Sequence, residues 1–182
     1  MVNIYEQKLT VLQQEILRFL FVNAGKQFNA RAISKNLEVS QPAISKALPF
    51  LEKQGYISVK KDKESKRLSI ELNTDNHLII GLKRADNLKQ IYEAGLAQFL
   101  SEKFPGCTIV LFGSYSRGED TINSDIDIAI IGAKEKEFEL KNFEDTLKKK
   151  IIIQYYENFK GIHKHLKENI FNGIVISGGI EL

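Results

Sequence analysis

Residues 113–131 read GSYSRGEDTINSDIDIAII, and the two ends of this run carry different chemistry. At its far end, Asp125-Ile126-Asp127-Ile128-Ala129-Ile130 alternates strictly. On a strand, successive side chains leave opposite faces, so Asp125 and Asp127 share one face while Ile126, Ile128 and Ile130 enter a core. Two carboxylates on neighbouring same-face positions repel each other unless a cation lies between them, and Mg²⁺, which prefers oxygen ligands, suits them. At the near end, the apolar, β-rich Thr108–Phe112 predicts a strand that runs straight into Gly113-Ser114 and a short segment of helical potential. A glycine at a strand exit lets backbone approach a phosphate closely, and the N–H groups opening a helix favour negative charge. Ser114 adds a hydroxyl donor. Arg117 stands between the two ends, either as a phosphate contact or as a surface arginine. The bland alternative is a solvated edge strand beside a turn, which requires chance to supply the glycine, the serine, both acids and the alternation together.

Gly113-Ser114, ten residues, then Asp125-x-Asp127 resembles the G-S-x10-D-x-D signature of the DNA polymerase beta-like nucleotidyltransferase superfamily, and its minimal nucleotidyltransferase members most of all. Over residues 104–182 the resemblance implies a small mixed β-sheet flanked by helices. It also implies a nucleoside triphosphate, with ATP the expected donor, held with Mg²⁺ or Mn²⁺, and transfer of a nucleoside monophosphate with release of pyrophosphate. Gly113 and Ser114, with Arg117, would hold the triphosphate, and Asp125 and Asp127 would ligate metal. A third carboxylate on a later strand completes such sites in the superfamily. The candidate strand Ile151–Tyr156 contains no acid, with Gln154 where one is expected, which leaves Glu157, just beyond it, as the third catalytic candidate.

Downstream, Phe138, Leu140, Phe143 and Leu147 predict one helix and Phe159, Ile162, Leu166 and Ile170 another, ended by Gly173 before a short strand at Ile174–Ile176. Tyr155 and Tyr156 are expected in the core, and His77, His163 and His165 on the surface. Upstream, residues 74–103 keep helical spacing through Leu78, Leu82, Leu88, Ile91, Gly95 and Phe99, with a break near Asp86. This reads as a helical connector that either caps the following domain or forms a homodimer seam.

The N-terminal part follows the order helix, helix, helix, hairpin. Leu9, Leu12, Ile16 and Phe19 mark the first helix; Asn29 caps a second bearing Ala30, Ile33 and Leu37; Ser40 caps a third bearing Ala43, Ile44, Ala47, Leu48 and Leu51. Ile57 and Val59, then Leu68, Ile70 and Leu72, predict two strands joined by the basic tip KDKESK. Over residues 5–73, and most of all in SQPAISKALPFLEKQGYISVKK, this resembles the winged helix-turn-helix of MarR-like transcriptional regulators. The resemblance implies double-stranded DNA as partner, with Gln41, Ser45 and Lys46 on the third helix reaching the groove and Lys60, Lys61, Lys63, Lys66 and Arg67 on the wing meeting phosphates. Pro49 is expected to kink or shorten the third helix.

Composition fits this division. The 182 residues are 43% hydrophobic and 27% charged, with a net charge of +3 and one cysteine, Cys107, which can form no internal disulfide. Residues 1–73 hold 12 Lys and Arg against 7 Asp and Glu, an excess of five positive charges, so the polyanion partner belongs to that part. No apolar run approaches the roughly 20 residues that span a bilayer, and no secretory leader is evident, which points to the cytoplasm. The expected fold is α+β: a winged helix-turn-helix over 1–73, a helical connector over 74–103 and a minimal nucleotidyltransferase domain over 104–182. Two functions follow. One is an Mg²⁺-dependent nucleotidyltransferase coupled to DNA binding, its acceptor a protein or nucleic-acid hydroxyl, for example on a helical toxin. The other is a transcriptional regulator whose transferase-like domain binds nucleotide without turnover.

Overall fold

The computed structural model describes residues 9–61 and 68–180. The chain divides into two compact units, residues 1–79 and 80–182.

In the first unit, Thr10 opens α1 (Val11–Val22) with a reciprocal cap: its hydroxyl accepts from the Gln13 N–H, and the Gln13 side chain accepts from the Thr10 N–H at 2.9 Å. Asn29 caps α2 (Ala30–Leu37) and Ser40 caps α3 (Gln41–Lys53) in the same one-sided way, each side chain accepting an orphan N–H of the first turn. The helices bury Ile16, Leu17 and Leu20, then Ile33, then Ile44, Ala47, Leu48 and Leu51 against one another. Each fully buried isoleucine or leucine contributes roughly 1.5–3 kcal/mol. The strands β1 (Ile57–Lys61) and β2 (Leu68–Leu72) pair antiparallel, and Phe28 adds an isolated bridge to β2 by exchanging backbone hydrogen bonds with Ile70. Pro49 does not shorten α3, which runs on to Lys53 with the proline exposed on its surface.

The second unit holds most of α4 (His77–Glu93), whose first turn lies in the first unit, then α5 (Leu96–Lys103), β3 (Thr108–Phe112), α6 (Gly113–Arg117), β4 (Ile126–Ile131), α7 (Lys141–Leu147), β5 (Ile151–Tyr156), α8 (Lys164–Phe171) and β6 (Ile174–Ser177). The sheet order is β5-β4-β3-β6; β4 and β5 are parallel and the other pairs antiparallel, so the sheet is mixed. One face packs Ile109, Leu111, Ile126, Ile128 and Ile130 with Ile91, Leu96 and Leu100 of α4 and α5. The opposite face packs Val110, Phe112, Ala129 and Ile131 with Ile162 and Ile170.

Three element boundaries differ from the sequence reading. The helical stretch breaks at Gly95, whose φ of +77° belongs to the left-handed region, and α4 runs unbroken past Asp86. The helix α7 begins only at Lys141, so Phe138 and Leu140 pack from the segment before it; Phe138 sits edge-on to Phe99 and Phe104. The last helical stretch is two pieces, a 3-10 turn at Phe159–Gly161 capped by Asn158 and then α8.

Candidate functional site

The strand β3 delivers the chain to Gly113, and β4 starts one residue after Asp125. Their register sets Phe112 opposite Asp127, so the turn leaving β3 and the aspartate entering β4 meet at one end of the sheet. Gly113 adopts φ +75°, and a Cβ built on it would stand 2.4 Å from Asp127 Oδ2. The left-handed backbone favours glycine there, and any side chain would have to push the Asp127 carboxylate aside. The carbonyl of Gly113 accepts from the Ser116 hydroxyl, and the carbonyl of Ser114 accepts from the Glu119 N–H, which fixes the short helix α6. Ser114 is half-buried, and its hydroxyl has no protein partner among the described residues.

Asp127 is half-buried and Asp125 exposed. Neither is ion-paired among the described residues. Burial, and after it the negative charge of Asp125, pushes the Asp127 carboxyl above its usual range. Two adjacent acids without a basic partner have the chemistry of a cation site. The described residues hold no cluster of three His, Cys, Asp or Glu side chains. A two-carboxylate set fits Mg²⁺, which is bound by one or two carboxylates together with substrate phosphates and does not need an all-protein cage.

The other expected residues fall into three groups. Arg117 turns to Glu119, Nε to Oε2 2.7 Å, and stays at the surface. Glu157 is not brought to the carboxylate pair. Asp127 pairs with Ile152 across β4 and β5, and Glu157 lies five residues further along, roughly 16 Å at strand rise. It lines instead a cavity of about 550 Å³ with Lys160, Lys167, Phe159 and Phe171, at the end of the sheet that carries Thr108 and Ile131. Gln154 pairs with Ala129, and the position beside Asp127 is held by Ile152, which is 40% exposed.

On the N-terminal unit, Gln41, Ser45 and Lys46 lie exposed on α3, opposite its buried face. Lys61 is exposed, whereas Lys60 donates to Glu71 at 2.9 Å across the hairpin. That bond, followed by one from Gln27, lowers the Glu71 carboxyl. Lys63, Lys66 and Arg67 lie outside the described residues.

The sequence reading missed a buried polar cluster. Lys83 (0% exposed), Asp120 (2%) and Lys149 (7%) converge with Asn87. The Lys83 ammonium bonds Asp120 Oδ1 and the Asp120 carbonyl; Asn87 Nδ2 donates to Asp120 Oδ1 at 2.7 Å and to the Tyr115 carbonyl at 2.9 Å. Lys149 Nζ lies 3.1 Å from Asp120 Oδ2, a charge contact without hydrogen-bond alignment, and donates to the Thr121 carbonyl at 2.5 Å. Burial lowers the Lys83 ammonium, against the raising effect of Asp120. One signal was present in the sequence: Ile79, Lys83, Asn87 and Ile91 recur every fourth residue, which places the two polar residues on the buried stripe of α4.

A family profile described as "Nucleotidyltransferase domain" matches residues 94–176, and one described as "Winged helix DNA-binding domain" matches residues 12–75. A relative from Methanocaldococcus jannaschii, named "Putative protein adenylyltransferase", is 36% identical over 80 residues, covering 43% of this chain and 74% of its own length. The chain belongs to the nucleotidyltransferase domain family. In this chain the winged-helix module precedes the nucleotidyltransferase domain. Among solved structures, the chain is similar to the adhesin competence repressor AdcR of Streptococcus pyogenes, at 26% identity, covering 54% of this chain and 70% of that one with a TM-score of 0.41. It is also similar to ZitR of Lactococcus lactis, a zinc-responsive MarR family member, at 23% identity, 54% and 65% coverage and a TM-score of 0.41. The described helices include none long and apolar enough to cross a membrane.

Proposed function

We propose that the chain is a cytoplasmic nucleotidyltransferase that works on or near duplex DNA, moving AMP from ATP to a hydroxyl of a protein acceptor. The observation that carries this reading is the contact between Gly113 and Asp127: the glycine suited to phosphates and the aspartate suited to a metal form one site. Gly113 and Ser114 would hold the triphosphate through backbone N–H groups and the Ser114 hydroxyl. Asp125 and Asp127 would hold Mg²⁺ or Mn²⁺, which supplies charge neutralisation for the phosphate oxygens when bound. The acceptor oxygen attacks the α-phosphorus, the bond to the β-phosphate oxygen breaks, pyrophosphate leaves, and the hydroxyl proton passes to solvent. Catalysis of this kind rests on positioning and charge. The protein class of the acceptor is proposed from the M. jannaschii relative's name. The winged helix, with Gln41, Ser45, Lys46 and Lys61 exposed, would hold the enzyme on DNA.

A second reading, a regulator that binds nucleotide without turnover, is favoured by one observation: an isoleucine stands beside Asp127 where a third acid would assist the acceptor hydroxyl. The deciding experiment incubates the purified protein with Mg²⁺ and α-³²P-labelled nucleoside triphosphates, with and without cell extract, beside an Asp125→Asn, Asp127→Asn double variant. Label on a macromolecule with the parent alone supports the transferase. Nucleotide binding with no transfer supports the regulator, and binding by neither protein ends both readings.

A further inference from the structure

We propose that Lys83 and Lys149 are positioning residues for this site, acting on the loop between its two halves; the proposal rests on the nucleotide-and-metal reading above. The loop Glu119–Asp125 joins α6 to β4; its Glu119 N–H bonds the Ser114 carbonyl of α6 and its Ser124 N–H bonds the Thr121 carbonyl within the loop. A buried carbonyl without a donor is costly, so the rest of the loop needs partners brought from elsewhere. They come from two distant places in the second unit. From α4, Lys83 bonds both the carboxylate and the carbonyl of Asp120, while Asn87 bonds Asp120 and the Tyr115 carbonyl of α6 at once. From the turn before β5, Lys149 bonds the Thr121 carbonyl at 2.5 Å and lies 3.5 Å from the Ser124 carbonyl, one residue short of Asp125.

Lys83 and Lys149 are both buried against Asp120, and the negative charge of Asp86 also favours the Lys83 ammonium; each buried cation carries a desolvation cost. What the second cation adds is its grip on Thr121 and Ser124, the residues that set where Asp125 emerges. Gly118 completes the seat: a Cβ there would stand 2.5 Å from the Ile80 carbonyl, so the loop's first turn lies directly on α4. Thus α6, with the phosphate-facing glycine and serine, and Asp125 are referred to the same buried anchor. Outer residues of this kind, which touch no ligand, set the affinity of a metal site.

The test uses the full chain. Lys149→Met keeps the apolar stem and removes the ammonium. Manganese binding followed by electron paramagnetic resonance is expected to weaken by about tenfold, as loss of outer-sphere support does. Amide exchange in peptides spanning residues 119–126 should quicken while the β3 peptide keeps its protection. Lys149→Arg, which retains a buried cation, should recover most of the manganese affinity. If Lys149→Met does not fold, Lys149→Gln takes its place with the same expectation. Unchanged loop exchange and unchanged manganese affinity in a folded variant overturn the proposal. The nucleotide-and-metal reading fails separately, when the parent binds manganese no better than Asp127→Asn; loop exchange in Lys149→Met then still decides whether Lys149 holds the loop.

Discussion

Ile152 and Asp127 are direct neighbours across the parallel pair of β5 and β4, the isoleucine on the edge strand and the aspartate inside it. Two residues of the same pleat at this register project to the same face. An apolar side chain therefore stands beside Asp127, where the proposed transferase would need a carboxylate to assist an acceptor hydroxyl.

Installing that carboxylate is the most direct test. Ile152→Asp is expected to raise AMP transfer by tenfold or more, within the roughly 10² to 10⁴ that a placed general base contributes. The side chain is 40% exposed, so the stability cost should stay within about 1 kcal/mol. Label transfer per minute at saturating Mg²⁺-ATP measures it; a rate equal to the parent's rejects the assignment of this position.

Asp127 links the site to pH. Its folded-state carboxyl is raised by burial and by Asp125, so the native state binds protons more readily than the unfolded chain. Stability without metal therefore falls as pH rises from the ordinary aspartate range through the raised value, above which the penalty is complete. Asp127→Asn should melt higher than the parent at pH 7 in chelator, with the gap closing toward pH 3.5. Added Mg²⁺ should raise the melting temperature of the parent and not of the variant. Calorimetry across pH, with and without metal, checks both signs.

Gly113→Ala sets a methyl group against the Asp127 carboxylate and a non-glycine residue in the left-handed region. The backbone strain alone is about 1–3 kcal/mol. Nucleotide affinity measured by titration calorimetry should fall at least a hundredfold while the first unit's helices persist in circular dichroism.

On the DNA side, Lys46 and Lys60 separate. Lys46→Ala removes an exposed cation from α3 and should lower the salt slope of duplex binding by about one. Lys60→Ala breaks a bond to Glu71 and should leave that slope within half a unit of the parent. Fluorescence anisotropy over a range of KCl concentrations distinguishes them; equal losses would mean that Lys60 leaves Glu71 when DNA arrives.

Local patterns in the sequence were readable, and distant convergence was not. The alternation Asp125–Ile130 announces β4, the caps Asn29 and Ser40 announce their helices, and Gly113-Ser114 announces the turn, because each is settled by neighbours in the chain. Glu157 lies apart from the carboxylate pair because proximity in sequence to Ile151–Tyr156 says nothing about which end of β5 adjoins Asp127. The break at Gly95 is hidden in the sequence because apolar spacing continues across it. Lys149 is the middle of three consecutive lysines, a run that reads as solvated; only its contact with Asp120, 29 positions earlier, distinguishes it from Lys148 and Lys150.

The contact between Gly113 and Asp127 also bears on descent. Any side chain acquired at position 113 displaces the carboxylate at 127, and nothing at 127 can make room for a residue that the backbone there already disfavours. Fourteen positions apart, the two behave as one heritable character: related sequences should keep both or surrender both.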